Sequence, residues 1–462
     1  MPEARPQIVW LRRDLRLSDQ EAFRAASARG PVIPVYVLDD ETPRHRAMGG
    51  ASRWWLHHSL ASLATDLHKH NAQLILRRGR AAEVLAALVE ETGASGVHAL
   101  RHYEPWWRNA ERALDKALPV GVKFIRHGGL YLLPPGTVTT AAGGPYKIFT
   151  PFYRALRERM PPGDPLPVPS LTLPESWPAS DRLEDWNLLP DSPDWSAGMR
   201  AAWQVGEGAA QEQLWDFAER AGSYEEQRNL PSVDGSSRLS PHLHFGEISP
   251  RQVWNVFTRR SGEGVESFLR ELVWRDYAAN VLLQFHDYPE HSYKESFAAF
   301  LWRDHESEAA ADLQAWQHGR TGYPIVDAGM RQLWATGWMH NRVRMIAASF
   351  LTKHLLIDWR VGERWFWDTL VDADYASNGT NWQWVAGTGI DASMFVRIMA
   401  PLTQSPKFEA AGYIREWVPE LTELPDAAIH DPSDIERPAD YPAKIIEHRA
   451  GRERALAAYR EL

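Results

Sequence analysis

The sequence predicts a fold in two unlike parts, a doubly wound parallel α/β domain and a larger all-helical domain, joined by a long proline-rich wrapping linker. Three observations carry this reading. Over the first 130 residues, short β-branched runs alternate with amphipathic stretches, the pattern of one parallel sheet covered on both faces. Between Tyr131 and Pro193 lie 13 of the 32 prolines, residues whose fixed φ and missing N–H interrupt helices and central strands. Beyond about Val205 strand patterns vanish and apolar residues recur at helical spacing. The expected divisions are 1–130, 131–204 and 205–462.

Strands are expected at IVWL (8–11), VIPVYVL (32–38), LILR (74–77), GVHAL (96–100) and VKFI (122–125). No GxGxxG follows the first strand, so nothing supports dinucleotide binding there. In the linker, PPGDPLPVPS (161–170) excludes regular structure, whereas the aromatic PYKIFTPFYRAL (145–156) is expected to dock on a neighbour. GSSRLSP (235–241) reads as a hydroxyl-rich loop in which Ser240 N-caps a helix and Pro241 takes its first position, an end that suits an anion. In FLRELVWRDYAAN, from Phe268, residues Glu271, Trp274 and Arg275 share one helical face. A surface salt bridge beside a core tryptophan would give the same pattern. Ile325 to Trp359 reads as one long helix interrupted at Gly337, with Asn341, Arg344 and Met345 on a common face. An amide, a guanidinium and a thioether suit a planar aromatic ligand with polar edges, and a buried polar network would use the same residues.

A chain of 462 residues has length for two to four domains at roughly 100 to 200 residues each. It holds no apolar run of 18 residues and opens on no basic-then-apolar leader, so a cytoplasmic protein that does not span a membrane is expected. With no cysteine, disulfides, thiolate nucleophiles and cysteine-bound metals are excluded, and no metal site is expected. The net charge of -9 argues against a chain coated in nucleic acid. Residues 340–360 nevertheless carry Arg342, Arg344, Lys353 and Arg360 against Asp358 alone, and seven of the 22 tryptophans fall between 334 and 384. Basic groups interleaved with aromatics are what stacking an exposed base and holding its phosphates require.

The run GWMHNRVRM (337–345), the DxDxxxN pattern of Asp372, Asp374 and Asn378, and the triplet Trp382-Gln383-Trp384 together resemble the flavin site of DNA photolyases and cryptochromes. The similarity extends over nearly the whole chain and is greatest to bacterial cyclobutane pyrimidine dimer photolyases. It implies an antenna-type first domain, whose RRDLRLSDQEAF opening from Arg12 departs from the family at Leu11 and Gln20. It implies FAD, with Tyr224, Ser236, Ser237, Arg238, Leu239, Ser240, Phe268, Arg275, Arg344, Asp372, Asp374 and Asn378 as cofactor contacts. A second chromophore is expected to be flavin-like or deazaflavin before folate, or absent, because Trp106 and Trp107 replace an Asn-Glu pair of folate-binding members. Two tryptophans packing on the sheet edge account for the pair equally well.

The same resemblance implies light-driven splitting of the dimer by an electron from excited reduced FAD to a flipped-out lesion. Trp274 and Trp384 are then its stacking platforms, Glu271 a buried hydrogen-bonding carboxyl, and Asn341 and Met345 further catalytic neighbours. Arg228, Arg342, Arg397 and Lys407 are implied as DNA contacts, and Trp382, Trp359 and Trp302 as an electron relay. Trp302 takes the exit role if HESEAAAD (305–312) holds four inserted residues, since Glu306 stands where the family's outer tryptophan would fall. The alternative is a cryptochrome-type blue-light photoreceptor. Asn378 favours repair, because plant cryptochromes place an acid there and animal ones a thiol; (6-4) photolyases carry histidines where this chain has Asn341 and Met345. The segment DASMFVRIMAP (391–401) keeps Arg397 but departs from the family at Met394 and Ala400. A monomer acting on ultraviolet-damaged DNA, single- or double-stranded, is expected, with no signalling tail after AAYREL.

Overall fold

The computed structural model describes residues 4–42, 45–303 and 307–462. Five parallel strands, β1 (Gln7–Leu11), β2 (Val32–Leu38), β3 (Ile75–Arg78), β4 (Gly96–Leu100) and β5 (Lys123–His127), form one sheet in the order β3-β2-β1-β4-β5. The connections carry helices α1 (Glu21–Ser27), α2 (Gly50–Lys69), α3 (Ala81–Thr92) and α4 (Pro105–Ala117). β1, β2 and β4 are buried along their whole length, which is why their sequences read as continuous apolar runs and not as alternation.

No strand follows β5 among the described residues, apart from an isolated bridge between Thr139 and Pro145. In the linker, α5 (Phe149–Arg157) docks on α6 (Glu263–Gln284), where the Phe149 ring stacks on Trp274 with centroids 3.5 Å apart and planes within 5°. The helical part continues through α7 (Pro324–Thr336), α8 (Asn341–Ser349), α9 (Trp359–Thr369) and α10 (Tyr375–Ala386). Among the described residues, no helix is long and apolar enough to cross a membrane.

Two expectations need correction. The helix anticipated from Ile325 to Trp359 breaks at Gly337 as expected, but it breaks a second time before Asp358 and is three segments. Gly337 ends α7 at φ 69°, a left-handed conformation that costs glycine nothing, and the His340 side chain starts α8 by accepting the Arg342 N–H. α8 then passes into a π-turn at Phe350–His354, and Asp358 caps α9, so Trp359 opens a helix where it was expected to close one. Apolar spacing stays in phase across these breaks, and periodicity alone does not register them. Nor does Ser240 act as a cap: the short helix Ser240–Phe245 has Leu239 at its N-cap with no side-chain bond, and Ser240 is exposed.

The two parts meet through the segment before α2. The Trp367 indole N–H donates to the Ala47 carbonyl at 2.8 Å, and the Gly50 N–H donates to Asp368 Oδ1 at 2.8 Å. A Cβ on Gly49 would stand 2.3 Å from the Asp368 Cα, so only glycine permits this approach.

Candidate functional site

The start of α10 gathers the acidic half of the predicted cofactor set. Asp374 N-caps the helix, its Oδ1 accepting the Ser377 N–H at 2.8 Å, while Arg13 from the end of β1 donates to its Oδ2 at 3.3 Å. Burial opposes charge on Asp374, but Arg13, with help from Arg275, overcomes it and holds the carboxyl below its ordinary range. His244 is pushed down to about 3 by burial and then by Arg13, so it stays neutral. Arg344 forks Asp372 at 3.0 and 2.9 Å and donates through Nε to the Met339 carbonyl at 2.7 Å, a bidentate geometry that fixes the guanidinium plane.

Arg344 and Arg238 both lie over the Trp338 ring, 5.9 and 5.3 Å from its centroid, which joins the 235–240 loop to α8. Arg238 has φ 51°, and its Nε is buried without a hydrogen bond, the Asp234 carboxylate standing 3.5 Å away. An unpaired buried donor beside the half-buried Ser236 and Ser237 fits the pyrophosphate of FAD. The Asn378 amide is fixed as well: Nδ2 donates to Glu363 Oε1 at 2.9 Å and to the Glu363 carbonyl at 3.1 Å.

Three residues of the predicted cofactor set are engaged with the protein's own groups. Phe268 and Leu239 are core residues, Phe268 packing on Phe217, Phe257 and the half-buried Tyr224 with centroids 4.7, 5.0 and 5.6 Å apart. Arg275 is committed to the Leu130 and Leu243 carbonyls at 2.5 and 3.2 Å and lies 4.6 Å over Tyr131.

The predicted DNA side is half-exposed. Glu271 pairs with Arg228 at 2.6 Å and its side chain is 33% exposed, so the buried carboxyl expected from sequence lies instead at the rim. Both line a 550 Å³ cleft with Trp274, Arg270 and Tyr153. Trp274 stacks on Phe149, meets Tyr277 at 5.5 Å, and still lines the cleft. Arg342 donates to Asn229 Oδ1 at 2.5 Å, lies 3.8 Å from Met345 Sδ, and stacks over Phe408, which Lys407 also faces. Burial, then Arg228 and Arg397, lower the Arg342 pKa, so these three predicted cations form one positive group. Asn341 is exposed and Trp384 half-buried, while Arg344 turns aside from Asn341 and Met345 toward Asp372. Met394 is 71% exposed, so its departure from the family leaves the core untouched.

Trp382 and Trp359 are buried and Trp302 half-buried. Trp382 meets Phe366 and Trp316 at 4.9 and 6.3 Å, Trp359 donates to Ser292 Oγ at 3.1 Å, and Trp302 packs on Phe300 at 4.5 Å. The proposed insertion after Trp302 begins in residues 304–306, outside those described. Trp106 and Trp107 are interior residues, Trp106 against Tyr375 of α10 at 4.9 Å and Trp107 against Trp10 of β1 at 6.0 Å. They lie between sheet and helical domain, not on a sheet edge.

Sequence reasoning missed Arg46, Glu363 and Phe408, and it placed Arg13 and Phe149 only within the RRDLRLSDQEAF and PYKIFTPFYRAL runs, without a role at the site. Glu363, an acid inside the aromatic run GERWFWDTL, carried a usable signal; Arg46 and Phe408 carried none that is local.

Comparison with known proteins adds to this geometry. Residues 7–170 match the family model described as DNA photolyase, and residues 268–461 the FAD binding domain of DNA photolyase. The deoxyribodipyrimidine photo-lyase of Agrobacterium fabrum (strain C58 / ATCC 33970) is 47% identical over 98% of this chain and 97% of its own. A solved bacterial class III photolyase from Agrobacterium tumefaciens superimposes with a TM-score of 0.94 at 46% identity, covering 100% of this chain and 98% of that one. A cryptochrome from Synechocystis sp. PCC6803 gives 0.86 at 29% identity, covering 99% and 100%.

Proposed function

The chain belongs to the DNA photolyase family, and on that premise we propose that it is a deoxyribodipyrimidine photo-lyase that repairs cyclobutane pyrimidine dimers in light, with FAD as its cofactor. When bound and reduced, FAD supplies on excitation the electron that opens the dimer's ring and takes it back. Everything else falls to the chain. Ser236, Ser237 and Arg238 hold the pyrophosphate, while the Arg344–Asp372 fork and Asp374 shape the wall. Asn378 turns its amide oxygen to the ring.

At the rim, a poorly stacked dimer flips out at less than the few kcal/mol a normal pair needs. The Trp274 and Trp384 rings then stack the lesion, each platform contributing roughly 1–3 kcal/mol per base. Glu271, held by Arg228, accepts from the lesion's imide N–H groups, with Asn341 and Met345 alongside. Arg228, Arg342, Arg397 and Lys407 take the flanking phosphates of single- or double-stranded DNA. Trp302, Trp359 and Trp382 relay electrons inward; Trp302→Phe slows photoreduction of the flavin and spares repair by pre-reduced protein, and unchanged photoreduction removes Trp302 from the route. We place the protein in the cytoplasm as a monomer.

The observation that carries this reading is the continuity of one cationic group with a half-open aromatic cleft. The test is to irradiate reduced protein with dimer-containing single- and double-stranded oligonucleotides and measure restored thymines. Restoration supports repair; none, from protein with a normal light-responsive flavin spectrum, gives the photoreceptor reading instead.

A further inference from the structure

One side chain of the α/β domain reaches the site that Asn378 occupies. Arg46 forks Glu363, Nη1 to Oε1 at 2.9 Å and Nη2 to Oε2 at 2.6 Å, and its guanidinium lies 4.4 Å over the Trp367 ring. The backbone beside it is pinned independently to α9, by the Trp367–Ala47 and Gly50–Asp368 hydrogen bonds and by the close seat of Gly49. Glu363 is 2% exposed, and its Oε1 receives Asn378 Nδ2 as well as Arg46.

A primary amide has a donating end and an accepting end, and its neighbours decide which way it points. An ionised carboxylate can only accept. It therefore selects Nδ2 and turns Oδ1 to the opposite side. A protonated carboxyl also offers an O–H, which either orientation of the amide can use.

We propose that Arg46 is a positioning residue of the flavin site: by forking Glu363 it fixes the Asn378 amide with its oxygen toward the ring, so that the α/β domain sets the cofactor's redox balance. This rests on the reading that Asn378 faces the flavin. An amide oxygen accepts from the ring N–H that reduced flavin has and oxidised flavin lacks; an amide N–H instead favours the bare nitrogen of the oxidised form. Burial leaves the Glu363 pKa raised overall, and the Arg46 hydrogen bonds and charge are the chief restraint on that rise, with smaller help from Asn378 and from Arg364 on the same helix. The other ionisable neighbour, Tyr375 on α10, donates to Glu290 at 3.0 Å. Arg46 is thus the chief group keeping Glu363 an acceptor.

The test is equilibrium redox titration of flavin-loaded protein, read by absorbance. Arg46→Gln is expected to shift the reduced-to-oxidised ratio about tenfold toward oxidised flavin, a potential lower by about 30 mV for two electrons. Arg46→Lys, which keeps the charge, restores most of it. Glu363→Gln gives a shift like that of Arg46→Gln, and the double variant adds nothing further. Trp367→Phe, which loosens the same seam without touching Glu363, leaves the potential in place. A Trp367→Phe shift as large as that of Arg46→Gln, or additive Arg46 and Glu363 effects, would overturn the proposal. Where Arg46→Gln fails to retain FAD, Arg46→Lys and Glu363→Gln decide. Asn378→Ala separates the premise from the inference. If it moves the potential and Arg46→Gln does not, the inference fails alone; if neither does, Asn378 does not face the flavin.

Discussion

Arg342 and Arg344 leave the same turn of α8 for opposite surroundings. Arg344 turns inward and is forked by Asp372, whose side chain is almost wholly buried; Arg342 lies over Phe408 at the rim, and its hydrogen-bond partners among the described residues are the neutral Asn229 and Met345. The contrast extends through both regions. On the cofactor side Arg13, Arg46 and Arg344 each meet a carboxylate, so geometry is fixed before any ligand arrives. On the DNA side Arg228, Arg342 and Arg397 act on one another, Lys407 faces the same Phe408 ring as Arg342, and Arg228 pairs with the carboxylate of Glu271. One side is built for orientation and the other for attraction to a polyanion, and substitutions on each should register in different measurements.

The largest effect belongs to the buried side. Asp372→Ala strands the Arg344 guanidinium, and removing one partner of a buried pair costs about 3–5 kcal/mol. Loss of FAD during purification and a lowered melting temperature are expected. If flavin content and melting temperature both stay at wild-type values, the fork is no more fixed than the rim. Trp274→Ala comes next, weakening binding of dimer-containing DNA by roughly 1–3 kcal/mol, the value of one stacking platform, with undamaged DNA little changed. Equal loss with both DNAs would make Trp274 a support for Phe149 and not a lesion contact. Arg342→Gln is smaller again. It should flatten the slope of log affinity against log salt by about 0.9 on duplex DNA, one phosphate contact, while FAD content stays normal. An unchanged slope moves the DNA path away from Phe408.

How far each region was legible follows from how local its signals are. β1, β2 and β4 were readable because a strand buried on both faces must be apolar throughout. The Arg344–Asp372–Asn378 set was readable because the motifs resemblance rests on are short runs within about one helix each. Arg46 was not, since its contact with Glu363 spans 317 residues and nothing near Arg46 marks it. The helix break at Gly337 was readable from the glycine itself, but the one at Leu356 escaped: apolar phase continues across it, and the left-handed φ of 54° at Leu356 is a tertiary imposition on a residue that gives no warning of it. Ion pairing was the least legible. Glu271 was correctly placed on a face with Trp274, but its exposure and its partner Arg228 depend on the approach of a separate short helix, Tyr224–Gln227.

That pair supplies the smallest effect and the sharpest test of the contrast, because it puts a cofactor-side device, an arginine held by a carboxylate, on the DNA side. A half-exposed ion pair contributes about 0–1 kcal/mol to stability, so Glu271→Gln should leave the melting temperature nearly unchanged. It also releases Arg228 to a phosphate. Affinity for undamaged duplex should therefore rise slightly and its salt slope steepen toward one more contact, by up to about 0.9. Repair yield per absorbed photon should fall at the same time, because the lesion loses its carboxylate acceptor. The two consequences separate in Arg228→Gln, which removes the phosphate contact and leaves Glu271 facing the lesion: its salt slope should flatten while yield from bound substrate is largely kept. If Glu271→Gln neither lowers yield nor steepens the salt dependence, Glu271 is an ordinary surface charge and the cleft beside Trp274 is not where the lesion sits. If both variants lose yield equally, Arg228 and Glu271 act as one unit, and the rim at that point is organised like the cofactor side.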